Sequence, residues 1–501
     1  MKSRITGLTV LIVALFATVL GMAWFVQVHH ASALNGSTQN PIITADAKLY
    51  PRGEILAGDG TVLSRSIPTG SSSDPWRRSY PLGKLTSDIV GYSSLKYGTG
   101  GIEYNYDGYL VTHAQPIRNL SDFVNPVHSD DTVAITLEVA LQQVAARALA
   151  GRDGAVVAID PRNGSVLAMY SNPTYNPAPL TSINFAIQTA AWKKYNTNDA
   201  LNFPPLGSVA TQQTFPPGST FKVVTTAGVL RYAPALQYAS FPYSNQLSLK
   251  PYSNKVLYNA GLGVCGGTIQ KMLPASCDPG YAWLGEKLGG EKLHAEAQQF
   301  GYNAIPPLDI PGVVASVFPP AKTFDNGNIP FLAYSAIGQY NVRSTALQDA
   351  LVAAGIANGG KVMAPHFLHK ITDSQGNVVK LYRPYVWRHA LGPVEAATVS
   401  ALMRGVVTGG TATQVGFLAQ DEVAAKTGTA QTAGQTLTDD WMIAFAPASH
   451  PLIAVAVVVP NQPLFDWGAT VAGPIMKCVI EGALAIDAKQ PPAGTYDTCP
   501  R

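Results

Sequence analysis

Ser219-Thr220-Phe221-Lys222 lies in the segment FPPGSTFKVVTTAGVL. Pro216, Pro217 and Gly218 break the chain, and an apolar helical pattern follows at once. This predicts Ser219 at a helix start with Lys222 three residues on. Residues three apart share a helix face, so the hydroxyl and the amine come within hydrogen-bond reach. A serine hydroxyl is a weak nucleophile at neutral pH and needs a base beside it. A lysine serves if burial and neighbouring positive charge lower its pKa. The helix N-terminus favours the negative charge that develops on the serine. Alone, the pattern is unspecific. A second copy, Ser93-Ser94-Leu95-Lys96, lacks the Pro-Gly break and the apolar helix behind it. The plain alternative for Ser219 is a helix-capping serine beside a solvated lysine.

Two further triplets could complete such a site. Lys426-Thr427-Gly428-Thr429 contains the chain's only Lys-Thr-Gly and follows the short apolar run Val423-Ala424-Ala425. It reads as an edge strand, where a small residue lets a substrate backbone lie alongside. Its lysine can hold a carboxylate and its threonine can add a hydrogen bond. Ser276-Cys277-Asp278 lies between, 57 residues after Ser219 and 150 before Lys426. Taken singly, these are an ordinary turn and a helix cap. Ser182-Ile183-Asn184 precedes Ser219 and is out of order. The order of the three motifs is far more specific than any one of them.

Elements must hold these residues together. Leu137, Leu141, Val144, Ala145, Ala148 and Leu149 recur on one face of a predicted helix. Ala155–Asp160 and Ser165–Tyr170 form a predicted hairpin across Pro161-Arg162-Asn163-Gly164. Trp441–Ala446 and Leu452–Val459 are a second pair of apolar runs. Helical patterns and long loops lie between the pairs. The fold class expected is therefore α+β, with an antiparallel sheet built from both ends of a domain and helices inserted between.

The chain has 501 residues, 47% of them apolar, which suggests about three folded units and excludes wholesale disorder. Charged residues are 13% and the net charge is +3, with no basic run. That argues against a nucleic-acid partner. Ile5–Val26 carries no charge over 22 residues. As a helix it would span about 33 Å, against a hydrocarbon core of ~30 Å. Lys2 and Arg4 precede it and no Lys or Arg follows until Lys48, which orients the N-terminus to the cytoplasm and everything after His29 outside. The rival is a cleaved signal peptide with Ala31-Ser32-Ala33 as its cleavage site, though signal cores run only ~7–15 apolar residues. Cys265 and Cys277 are 12 apart, and Cys478 and Cys499 are 21 apart. Two local disulfides are the economical pairing outside the cytoplasm, with buried free thiols the alternative. No spacing suggests a zinc site.

With these motifs in order, the chain resembles the penicillin-binding proteins, the serine D,D-transpeptidases of peptidoglycan synthesis, and most closely their class B, monofunctional type. Arg52-Gly53-Glu54-Ile55-Leu56 and Gly100-Gly101-Ile102-Glu103-Tyr104 are similar to that family's non-catalytic pedestal motifs. Ala155–Pro173, Ala336-Ile337-Gly338-Gln339, Ala357–Gly360, Gly409–Ala412 and Asp440–Pro447 resemble stretches of its transpeptidase domain. The resemblance implies a cytoplasmic tip and membrane anchor over 1–28, a stalk and β-rich pedestal over 29–140, a transpeptidase domain over 141–490 and a tail over 491–501. It implies that Lys222 deprotonates Ser219 for attack on a D-Ala-D-Ala stem peptide. Ser276 would relay the proton, with Asp278 beside it, and Lys426 and Thr427 would bind the substrate carboxylate. The N–H groups of Ser219 and Thr429 would form the oxyanion hole, and Gly428 and Thr429 would join Lys426 and Thr427 in binding substrate. No metal or cofactor is implied. The implied partners are stem peptides, β-lactams as inhibitors, the membrane and a lipid-II polymerase. The rival readings are a β-lactamase or penicillin sensor on the same motifs, and a non-catalytic cell-wall scaffold.

Three departures from the family pattern stand out. Tyr340 replaces a glycine and Ala346 replaces a proline. Asp278 stands where asparagine is usual. It is either protonated by burial, ionised and paired with a lysine, or turned to solvent.

Overall fold

The computed structural model describes residues 2–25, 50–72, 75–111, 113–114, 128–198, 203–432, 436–464, 466–488 and 499. The expected stalk, the Ala31-Ser32-Ala33 site, Val26 and most of the expected tail lie outside them. Two sheets are built by interleaved pieces of chain. β1 (Ile55–Leu56), β2 (Val62–Pro68), β3 (Trp76–Ser79) and β4 (Thr132–Ile135) open the first. β5 (Gly154–Ile159) and β6 (Val166–Asn172) open the second. β7 (Leu368–Thr372) and β8 (Val378–Leu381) then return to the first, and β9 (Ala424–Gln431), β10 (Leu437–Ala446) and β11 (Ile453–Pro463) complete the second.

The first sheet runs β8-β7-β4-β1-β2-β3. Its β1–β4 pair is parallel, and β7 lies antiparallel to β4 with Ile371 opposite Val133. The sheet of the expected pedestal is thus closed by a hairpin from far beyond residue 140. A buried charge cluster sits beside it. Glu103, fully buried, accepts from Arg78 Nε (2.6 Å), Ser64 Oγ (2.8 Å) and Arg52 Nη2 (3.0 Å). Arg52 also bonds Asp107 (2.8 Å). Burial works against the Glu103 carboxylate, but Arg78 and Arg52 reverse the effect and hold it below its ordinary range.

The second sheet runs β6-β5-β11-β10-β9 and is antiparallel throughout. The two predicted pairs of apolar runs are its hairpins, and the Lys-Thr-Gly segment is its edge strand, as the sequence suggests. Every residue of β5 is buried, and so are the first eight of β11, so helices must cover both faces. In chain order the helices include α1 (Lys2–Trp24), α2 (Val139–Leu149), α3 (Lys222–Tyr232), α4 (Asp278–Leu288), α5 (Gly290–Gln299), α6 (Ala346–Ala357), α7 (Pro393–Gly409) and α8 (Gly468–Asp487), and other, unlabelled ones lie between them. α2 and α8 pack together on the sheet, while α6 packs on β5, β10 and β11. α8 is long and apolar enough to cross a membrane, but its Ala472, Ile475, Met476 and Val479 are buried in this core. α1 differs. Among the described residues its large apolar side chains from Val10 to Trp24 are exposed, with Phe16 and Leu20 both about two-thirds so (68% and 66%).

Candidate active site

The Pro-Pro-Gly lead-in produces one 3-10 turn, Gly218–Phe221, which runs directly into α3. Trp441 is fully buried and its Nε1 donates to Pro216 O (3.0 Å), pinning the lead-in to β10. Gly218 has φ +55, and a Cβ there would meet Thr429 O at 3.0 Å. A Cβ on Gly428 would meet Pro217 O at 2.8 Å. The small residue of the Lys-Thr-Gly strand therefore admits the backbone of the Ser219 turn, where the sequence suggested a substrate backbone. Ser219 is half-buried and opens into a cavity of about 380 Å³ lined also by Ser276, Asp278, Thr427, Thr429 and Trp467.

Both motif lysines are fully buried and converge on one hydroxyl. Lys426 Nζ donates to Ser276 Oγ (2.9 Å) and Thr427 O (2.9 Å). Lys222 Nζ donates to Ser276 O (2.6 Å) and Asp278 Oδ1 (2.7 Å), with Ser276 Oγ at 3.4 Å. Ser276 takes the left-handed backbone region (φ 54), uncommon for a residue with a side chain. Burial lowers the Lys222 pKa, and Asp278 pulls it back only in part. Lys426 is held well below its ordinary value by burial and by the Lys222 charge, against an opposing Asp278.

The sequence placed Ser219 and Lys222 within hydrogen-bond reach. Among the described residues, Lys222 instead directs its hydrogen bonds to Asp278 and Ser276. A carboxylate is the stronger acceptor for an ammonium than a neutral hydroxyl. Asp278 is only 8% exposed, which overturns the solvent-facing alternative. Its second oxygen accepts the Ala260 N–H (2.9 Å). Both of its oxygens therefore accept from donors of the protein.

A family model described as the penicillin binding protein transpeptidase domain matches residues 154–481. The chain belongs to the class B penicillin-binding proteins. A second model, the penicillin binding protein A dimerisation domain, matches residues 52–127. The chain is 34% identical to the peptidoglycan D,D-transpeptidase PbpA of Mycolicibacterium smegmatis, over 97% of this chain and 99% of that one. It is 32% identical to PbpA of Mycobacterium tuberculosis, over 97% and 99%. Its fold is similar to a ceftriaxone acyl-enzyme complex of M. tuberculosis penicillin-binding protein A, with a TM-score of 0.79, 32% identity and coverage of 88% of this chain and 100% of that one.

The other departures of this penicillin-binding protein have local explanations. Tyr340 keeps the positive φ (60°) that a glycine takes easily, and its ring stacks on Phe331 at 4.4 Å. Ala346 is the first residue of α6, where proline is favoured because no N–H partner is needed. The Thr345 side chain caps this helix by accepting the Gln348 N–H (3.0 Å). Both expected disulfides are present. Cys265–Cys277 ties the strand Cys265–Gly267 to the residue next to Ser276.

The decoy motif has another place. Ser93-Ser94 pairs with Gly98-Thr99, and Lys96 bonds Thr189 (2.7 Å). Asn184 of the out-of-order triplet caps a helix over Phe185–Tyr195. Sequence reasoning missed three contributors. Asn259 Oδ1 accepts the Asp278 N–H (3.0 Å). Thr411 pairs with Thr427 through their hydroxyls (2.7 Å). Trp467 lines the cavity at the start of α8. Thr411 sits in a recognised Gly-Gly-Thr-Ala stretch that had no role attached. Trp467 is a large aromatic at an apolar helix start, a signal that was available. A lone Asn in a Gly-rich stretch gives none.

Proposed function

We propose that the protein is a peptidoglycan D,D-transpeptidase in which Ser219 is the acylated residue. One observation carries the reading: Ser276 Oγ is held between the amines of Lys222 and Lys426 on the wall of the cavity into which Ser219 opens. Two lysines against one aspartate leave one excess positive charge when both are protonated. The terminal carboxylate of a D-Ala-D-Ala stem supplies the missing anion at Lys426 and Thr427. Burial favours release of the Lys222 proton to solvent, and the neutral amine so formed takes the Ser219 proton as Oγ bonds to the penultimate carbonyl carbon. The N–H groups of Ser219 and Thr429 stabilise the oxyanion. The C–N bond breaks, and the proton passes through Ser276 to the leaving D-alanine. The amine of a second stem peptide attacks the ester, giving a cross-link and regenerating Ser219. β-Lactams acylate the same oxygen, in keeping with the acyl-enzyme complexes of the M. tuberculosis relative.

In this reading residues 1–28 anchor the protein with its N-terminus cytoplasmic, 29–140 form stalk and pedestal, 141–490 catalyse outside the membrane, and 491–501 form a tail. A lipid-II polymerase in the same membrane supplies uncross-linked strands. The exposed apolar surface of α1 and the basic Lys2 and Arg4 support the anchor.

The test is labelling with a fluorescent penicillin, read by gel and intact mass. One stable adduct is expected, lost in Ser219→Ala and kept in Ser93→Ala. Rapid turnover of the adduct would point to a β-lactamase, and no adduct at all to a scaffold.

A further inference from the structure

Asp349 is a buried carboxylate outside the cavity, on the first turns of α6. Its acceptors face three hydroxyls. Oδ2 lies 2.7 Å from Thr220 Oγ1, and Oδ1 lies 2.5 Å from Ser344 Oγ and 3.4 Å from Tyr302 OH. No cation pairs with it among the described residues. An unpaired buried carboxylate is costly, and a structural core position of this kind is better served by an apolar side chain. Burial pushes it up to about 6, and the Ser344, Thr220 and Tyr302 hydrogen bonds hold it from rising further. Its oxygens are thus held by hydroxyl donors from three separate parts of the chain.

Thr220 follows the candidate nucleophile directly. Its hydroxyl has one proton and two acceptors in reach, Asp349 Oδ2 and Pro217 O (3.0 Å). The carboxylate takes that proton, because a charged acceptor is the stronger one. Asp349 thus grips the nucleophile turn from beneath. The same turn is held at its other side by Gly218 N–H on Gly338 O (3.0 Å) and by the Phe215–Ser344 backbone pair. Ser344 belongs to both grips, so the turn, α6 and the carboxylate form one unit.

We propose that Asp349 is a positioning residue that acts through Thr220 to set the orientation of Ser219 and its N–H for acylation. This rests on the assignment of Ser219 as the acylated residue. The inference predicts an effect on the chemical step and none on the encounter. A small misplacement of a nucleophile costs rate steeply, because the reacting atoms must be aligned. The cavity walls that bind the inhibitor do not include Asp349 or Thr220.

The experiment is stopped-flow acylation of the full chain by a penicillin over a range of concentrations, which separates the acylation rate constant from the non-covalent dissociation constant. Asp349→Asn and Thr220→Val should each lower the rate constant about tenfold and leave the dissociation constant within about twofold. The double variant should fall about tenfold rather than a hundredfold, since the two residues act as one unit. Thr220→Ser keeps the hydroxyl and should recover most of the rate. A rate constant within about twofold of wild type in a folded variant, or multiplicative losses in the double variant, would overturn the proposal. Should Asp349→Asn fail to fold, Thr220→Val decides by the same criterion. Wild-type protein without an adduct on Ser219 would overturn both this inference and the functional reading. A labelled wild type with indifferent variants overturns this inference alone.

Discussion

Two buried clusters in this molecule place two cations around one carboxylate, and they do opposite things. Beside the first sheet, Arg52 and Arg78 close on Glu103, and Asp107 adds a second anion on Arg52. In the cavity, Lys222 bonds Asp278, and Lys426 has no carboxylate partner among the described residues. Arginine stays protonated and presents a rigid fork of donors, so the first cluster is charge-balanced and fixed. Lysine gives up its proton when buried, so the second can change charge. Burial opposes the Arg52 charge, yet Glu103 and Asp107 raise its pKa overall, whereas burial lowers both lysines. Residue type and the count of anions separate a fixed clamp from the cluster proposed to accept a proton.

The comparison breaks most directly by putting an arginine into the cavity. Lys222→Arg keeps the positive charge and removes the proton-accepting form. Acylation by penicillin should fall about 10³-fold, the range lost with a general base. A rate near wild type would mean that the proton goes elsewhere and that the two clusters do not differ in kind.

The converse substitution is Glu103→Gln, which takes the anion from buried Arg78 and leaves Arg52 with Asp107 alone. Stability to urea should drop by about 3–5 kcal/mol, while the acylation rate constant of the folded fraction stays unchanged. The pH dependence has a definite sign. Glu103 is depressed in the folded state, so its contribution is complete above the ordinary carboxylate pKa of about 4.3. It is lost as pH falls through the lower folded value. Unfolding midpoints of the variant should lack that acid limb, and equal acid sensitivity would remove Glu103 from the account.

Asp278→Asn gives the smallest effect and sharpens the comparison most. Asp278 raises the Lys222 pKa against the lowering by burial. Without it, Lys222 is neutral at lower pH. The variant should keep penicillin labelling, and the acid limb of its pH–rate profile should move to lower pH. Superimposable profiles would show that this carboxylate does not control the lysine.

The cavity was more legible than the fold around it. Ser219, Lys222 and Lys426 stand in short motifs whose local chemistry is written in adjacent residues: a Pro-Pro-Gly break, an apolar helix, an edge strand. The β5–β6 and β10–β11 hairpins were readable because each strand finds its partner across a short turn. The pairing of β4 with β7 was not, because nothing near Thr132–Ile135 announces a partner at Leu368–Thr372. Asp349 was hidden for the same reason. Its three hydroxyl donors come from Thr220, Tyr302 and Ser344, and α6 reads from sequence as an apolar helix carrying one acid. The Asp278–Lys222 ion pair was foreseen as one of three alternatives, since the Ser-Cys-Asp triplet fixes the residue type but not which way the carboxylate turns.

The returning hairpin also sets a schedule for synthesis. β4 ends at Ile135, yet β7, the strand that covers its free edge, ends at Thr372. At about 5–20 residues per second, the ribosome needs on the order of ten to fifty seconds to make the stretch between them. Through that interval the edge of β4 has unpaired N–H and C=O groups and no native strand to meet them. A sheet whose first four strands are made early is therefore completed only when β7 arrives.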